Sequence, residues 1–133
     1  MIKKIEHIGI AVESIKESLP IFEILFDTSA YKSEIVESEF VKTAFIQVGE
    51  SKIELLEATH NDSAIAKFLS KNKAGFHHIA FDVDDVMEEI NRLEKKGFQL
   101  IHKLPKRGAD QKTIAFLHPK STNGILVELC QDI

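Results

Sequence analysis

The chain has 133 residues, 44% of them hydrophobic and 29% charged, which is the composition of an ordinary globular protein and enough length for one compact domain, not two independent ones. A formal net charge of −4 excludes a general nucleic-acid coat, which needs a basic surface to neutralise phosphates. No apolar run approaches the roughly 18 residues of a membrane span and no signal-peptide cleavage site follows MIKKIEHIGIAV, so the expectation is a cytoplasmic protein without membrane insertion.

The first element is a strand within IEHIGIAVESI (5–15). Side chains alternate across a strand, so Ile8, Ile10 and Val12 share one face while His7, Gly9 and Ala11 share the other. The apolar face has to pack on a helix, which leaves His7 on a face made roomy by small neighbours. That helix follows at once: Ser14 and Glu17 form a capping box, and Ile15, Leu19, Phe22 and Phe26 supply a buried stripe. Pro20 lies inside it and removes a hydrogen bond to Lys16, which predicts a kink or a late start. Next, VKTAFIQVGESKIELLE (41–57) reads as a hairpin, in whose closing strand Ile53 and Leu55 flank Glu54 and turn its carboxylate away from the buried face. A linker helix follows in NDSAIAKFLSKNKAG (61–75), capped by Asp62, burying Ile65, Phe68 and Leu69, with Gly75 past its end.

The second half repeats the first. FHHIAFDVDDV (76–86) matches 5–15 in register, placing Ile79, Phe81 and Val83 on the packed face, His77 with them, and His78, Ala80 and Asp82 on the open one. Asp85 and Glu88 form the second capping box, Val86, Ile90 and Leu93 face inward, and Gly97 ends the helix. KTIAFLHPKSTNGILVELC (112–130) matches the earlier hairpin, with Val127 and Leu129 flanking Glu128. The single cysteine, Cys130, has no partner for an internal disulfide and reads as a small buried hydrophobe. One β-α-β-β-β module is therefore written twice in a single α+β domain: about 1–60, a linker helix over about 61–74, and about 75–133.

Any one of His7, Glu54, His78 and Glu128 alone reads as a solvent-facing strand residue or a satisfied core histidine. Four such residues, at equivalent positions of two modules and all opposite the apolar face, read as a metal site. Two imidazoles and two carboxylates suit Co²⁺, Mn²⁺, Ni²⁺ or Zn²⁺ and leave two positions of an octahedron open to a chelating substrate. His60, His102 and His118 fall in or beside turns, where local hydrogen bonding is the expectation. Lys103, Lys106, Arg107, Lys112 and Lys120 gather in one stretch opposed only by Asp110. They read either as a solvated loop or as a site for an anionic substrate tail.

Together IEHIGIAV, VKTAF, KIELLEAT, DSAIAKFL, HHIAFDVDD and IAFLHPKSTNGILVEL resemble the vicinal-oxygen-chelate (glyoxalase/bleomycin resistance/dioxygenase) superfamily along nearly the whole chain. Within it they resemble the methylmalonyl-CoA epimerases, for which the DSAIAKFL helix and the FLHPKST hairpin are distinctive. The resemblance implies a half-barrel cup built from the two modules, and metal ligation by His7, His78 and Glu128, with Glu54 as a fourth ligand where the family often has Gln. It also implies a homodimer and an acyl-CoA substrate whose 2R and 2S forms interconvert by proton abstraction and return through a metal-stabilised enolate. On that chemistry Glu128 is the first candidate base and Glu54 the candidate for the other face, while Lys106, Arg107, Lys112 and Lys120 meet the CoA phosphates. Two departures stand out: GADQ (108–111) replaces a GAGG-like segment, and a second catalytic carboxylate of some relatives has no counterpart, Lys42 lying near its position with Glu37 and Glu39 upstream. The competing functions are a glyoxalase I-like lyase, which uses the same ligand types, and a non-enzymatic binding module of the same fold. An extradiol dioxygenase is disfavoured by a fourth ligand at Glu54.

Overall fold

The repeat in the sequence is also a repeat in space. The computed structural model describes residues 1–133. Its elements in chain order are β1 (Ile2–Ala11), α1 (Ile15–Phe26), β2 (Lys32–Val36), β3 (Val41–Val48), β4 (Ser51–Ala58), α2 (Ala64–Lys71), β5 (Gly75–Val83), α3 (Val86–Lys95), β6 (Lys106–Arg107), β7 (Lys112–Leu117) and β8 (Val127–Asp132). Strand neighbours run β2-β3-β4-β1 in one module and β6-β7-β8-β5 in the other, so both are wired alike and the class is the expected α+β. No helix is long and apolar enough to cross a membrane.

The chain packs as two compact units, residues 8–77 and residues 1–7 with 78–133, so β1 and β5 each contribute to both. In the unit of residues 8–77, β3 pairs antiparallel with β2 and β4. The sheet face carrying Val12, Ala44 and Leu55, with Ile10 and Ile53, packs against Ile15, Leu19 and Phe22 of α1, as alternation requires. Ser14 caps α1 by accepting from the Glu17 N–H, a contact worth about 1 kcal/mol. The helix starts directly after that cap rather than late, and it runs on through Pro20. Its first turn is closed by Ser18 N–H donating to the Ser14 carbonyl, so tertiary packing of the apolar stripe outweighs the missing donor.

The opposite face of that sheet is not open throughout, as the alternation alone suggested. Ala11, Val41 and Leu56 pack there against Ile65, Phe68 and Leu69 of α2, so the linker helix covers part of it. Its cap is Ser63, not Asp62: the buried Ser63 hydroxyl accepts from Ile65 N–H, while Asp62 N–H donates to His60 Nδ1.

In the unit of residues 1–7 and 78–133, β8 runs parallel to β5 and antiparallel to β7, which pairs in turn with β6. Val86, Ile90 and Leu93 of α3 pack with Val83, Ala115, Leu117, Val127 and Leu129 on one face. The other face carries Ala80, Ile114 and Cys130, with Phe116 beside them. Asp85 caps α3 by accepting from Glu88 N–H, and Gly97 takes a left-handed φ of 93° just past its end.

Candidate metal centre

Three of the four expected ligands lie in the unit of residues 1–7 and 78–133. His7 comes from β1, His78 from β5 and Glu128 from β8, with Glu128 directly opposite Ala80 in the β5–β8 register. All are buried, at 5%, 2% and 4% exposure. Their Nε2 atoms stand 3.0 Å apart, and Glu128 Oε2 lies 3.7 Å from that of His7 and 3.3 Å from that of His78. The imidazole rings meet edge to face at 5.2 Å, and Phe116 abuts His78 edge to face at 5.7 Å.

The 3.0 Å and 3.3 Å separations are those of donors around one ion, and the 3.7 Å separation is somewhat wider. Two atoms bound at about 2.1 Å are about 3.0 Å apart at a right angle and about 3.4 Å apart at the tetrahedral angle. The donor set of two imidazoles and a carboxylate suits a divalent cation, so the residues present fit the group that the fold implies. Burial opposes ionisation of Glu128, but positive charge on the His7 ring and then on the His78 ring, when these are protonated, more than offsets it and holds the carboxyl below the usual range, against a smaller opposing push from Glu6.

Glu54 lies in the other unit, on β4 opposite Phe45, and is 5% exposed. It shares the parity of Leu56, away from the Ile53 and Leu55 face that packs on α1, as expected.

Sequence reasoning missed Glu6. Strict alternation turns it away from His7, yet it is 2% exposed and its Oε1 is 3.1 Å from His7 Nδ1. Behind it Lys112 Nζ lies 3.8 Å from Glu6 Oε2 and also binds Asp132. This corrects the expectation for Lys112, which at 7% exposure is turned inward and engaged by two carboxylates, not presented to an anionic tail. The signal was available: Lys112 shares strand parity with Ile114 and Phe116, both on the site face. Lys106 and Arg107 form the short edge strand β6, with Arg107 exposed, and Lys120 is exposed in a 3₁₀ turn at Pro119–Ser121.

The loop between β6 and β7 is a tight turn in which Asp110 and Gln111 take φ values of 56° and 58°, closed by Gly108 N–H donating to the Lys112 carbonyl. Two consecutive left-handed residues are the signature of a type I′ turn, which glycine fills without strain. Cys130 is fully buried and its Sγ donates weakly to the Phe81 carbonyl at 3.5 Å. Burial, then Glu128 and Glu6, push its thiol far above the ordinary range, so it stays protonated as a small hydrophobe. His60 and His118 make the local bonds expected of turn residues, each accepting a backbone N–H two residues on, while His77 packs edge to face on Phe68.

Residues 6–116 match the family model described as the Glyoxalase/Bleomycin resistance protein/Dioxygenase superfamily. An uncharacterized protein of Bacillus subtilis is 42% identical over 96% of this chain and 91% of its own length. A protein of Cereibacter sphaeroides named as an ethylmalonyl-CoA/methylmalonyl-CoA epimerase is 36% identical over 98% of this chain and 99% of its own. Among solved structures, a Streptomyces coelicolor methylmalonyl-CoA epimerase variant in complex with 2-nitronate-propionyl-CoA superposes with a TM-score of 0.95 at 33% identity, covering 99% of each chain.

Proposed function

This chain belongs to the glyoxalase/bleomycin resistance protein/dioxygenase superfamily, and on that footing we propose that it is a metal-dependent epimerase interconverting the 2R and 2S forms of methylmalonyl-CoA. The observation that carries the reading is the convergence of His7, His78 and Glu128 on one buried face, in a chain whose full-length relatives include named epimerases of that substrate.

The reaction removes a proton from the carbon between a thioester carbonyl and a carboxylate and returns one to the opposite face. His7, His78 and Glu128 would hold the ion, and Glu54 is assigned as the fourth ligand because it occupies in β4 the place that Glu128 occupies in β8. A divalent ion bound there supplies Lewis-acid stabilisation of the negative charge that develops on the substrate carbonyl. The Glu128 carboxylate takes the proton from the α-carbon on one face, and Glu54, which would have to loosen from the ion and enter that turnover as the protonated acid, is assigned the delivery on the other. Ala80, Ile114 and Cys130, on the face of Glu128, exclude the water that would otherwise compete for that proton and weaken every charge interaction there. Lys106, Arg107 and Lys120 are proposed to meet the CoA phosphates, without the inward-facing Lys112.

We also assign a homodimer, supported by the exposed apolar side of α1: Ile21, Ile24 and Leu25 are 65%, 81% and 67% exposed. The activity is tested with purified (2S)- and (2R)-methylmalonyl-CoA in a coupled assay, with Co²⁺ and with chelator. Interconversion that needs the ion supports the reading; its absence in Co²⁺-supplemented protein overturns it.

A further inference from the structure

Glu6 lies outside the proposed ligand set, yet it is buried against His7 on the ring edge opposite the one that meets His78 and Glu128. An ionised carboxylate only accepts hydrogen bonds, so at 3.1 Å the Nδ1–H of His7 donates to Glu6 Oε1. A neutral imidazole carries one N–H. Anchored at Nδ1, the ring in its neutral form, the form that binds a metal, presents its Nε2 lone pair toward His78 and Glu128. A second buried charge holds Glu6 in turn: Lys112 reaches its Oε2 and is itself held by Asp132. Burying such a pair of charges, with only Asp132 at the surface, is a poor way to gain stability, since the desolvation of Glu6 and Lys112 offsets most of the attraction. Its geometry instead delivers one fixed acceptor to one ring nitrogen.

We propose that Glu6 is a positioning residue that locks His7 in the Nδ1–H tautomer and in the orientation that makes Nε2 a ligand, with Lys112 and Asp132 holding Glu6 in place. The consequence for metal rests on the site reading above; the tautomer does not. A carboxylate behind a ligating histidine fixes the ring and raises its basicity, and losing such a partner typically weakens metal binding about 10- to 100-fold.

The test uses chelator-treated full-length protein, with long-range ¹H–¹⁵N NMR of the histidine rings to read the tautomer and calorimetric titration with Zn²⁺ to read affinity. In the wild type His7 carries its proton on Nδ1. Glu6→Ala is expected to populate the Nε2–H form and to lose about 10- to 100-fold in Zn²⁺ affinity with a wild-type circular dichroism spectrum. Glu6→Gln, whose amide oxygen still accepts, keeps the tautomer and loses less affinity. Wild-type tautomer and wild-type affinity in Glu6→Ala would overturn the proposal. Should that variant not fold, the ring spectra of the wild type and of Glu6→Gln decide it, and a His7 that carries its proton on Nε2 in the wild type overturns it. A wild-type protein that binds no Zn²⁺ sinks the metal-site reading instead, while the tautomer still tests Glu6.

Discussion

His7 Nε2 and His78 Nε2 stand 3.0 Å apart although 71 positions separate the two residues in the chain. Equivalent histidines of two copies of one module have been brought into direct contact at a buried point that also receives a carboxylate. Unless an ion or a proton lies between them, two ring nitrogens this close set lone pair against lone pair.

Glu128→Gln should reduce epimerisation by at least about 100-fold, because the amide neither accepts a proton at neutral pH nor neutralises a bound cation. The change is isosteric, so the melting temperature of the metal-free protein should stay within a few degrees of wild type. Wild-type turnover would remove Glu128 as the base.

Chelation and reloading give a stability signature independent of turnover. A ligand present at about 100 times its Kd stabilises the native state by about 2.7 kcal/mol, which raises Tm by several degrees in a chain of this size. Zn²⁺ or Co²⁺ added to chelator-treated wild type should produce that rise in differential scanning fluorimetry. His78→Ala should show little of it.

Acid stability should depend on Glu89, on the inner side of α3. The N-terminal amine at 2.8 Å, followed by Arg92 at 2.7 Å, holds its carboxyl below the usual carboxylate range despite burial. A depressed carboxylate contributes stability that is full above its unfolded value and is lost as pH falls through the folded value, so the loss belongs below about pH 4. Glu89→Gln should cost about 1–3 kcal/mol at pH 7 and flatten the acid limb of a Tm-against-pH curve. An unchanged acid limb would contradict the assignment.

Gln111→Gly should stabilise the protein by up to about 1 kcal/mol, since a left-handed φ costs a side-chain-bearing residue about that much and glycine nothing. Gly108→Ala should act in the opposite sense. A Cβ there would meet Ile114 at 2.8 Å and 2.9 Å, and Ile114 is itself packed in the core. Urea denaturation of both variants measures the pair.

Ile24→Lys combined with Leu25→Glu should shift the protein from dimer to monomer in light scattering while changing Tm by only a few degrees, because both side chains face solvent in the single chain. An unchanged mass would exclude this side of α1 as the contact.

Much of this was legible because it is local. Ser14 and Asp85 announce their caps three residues ahead, and a period of two fixes which side of β5 and β8 bears His78 and Glu128. Where the reading failed, the deciding interaction was distant or two local signals competed. Asp62 and Ser63 are both good caps, and tertiary burial of the Ser63 hydroxyl chooses between them. No pattern in α2 states which sheet face it will cover. Lys112 was grouped by charge with Lys106 and Arg107, though its strand parity pointed inward. Glu6 was hidden by the same alternation rule that exposed His7.

The buried thiol of Cys130 bears on which ions the protein can hold. Glu6, His7 and Cys130 offer donor atoms within 4.8 Å of one another, an arrangement that with a thiolate would attract soft ions such as Cu⁺. Placed between two carboxylates and cut off from water, the sulfur keeps its proton. Without an ion this face therefore offers nitrogen and oxygen donors beside a protonated sulfur, and a soft metal would have to displace that proton before the sulfur could bind it.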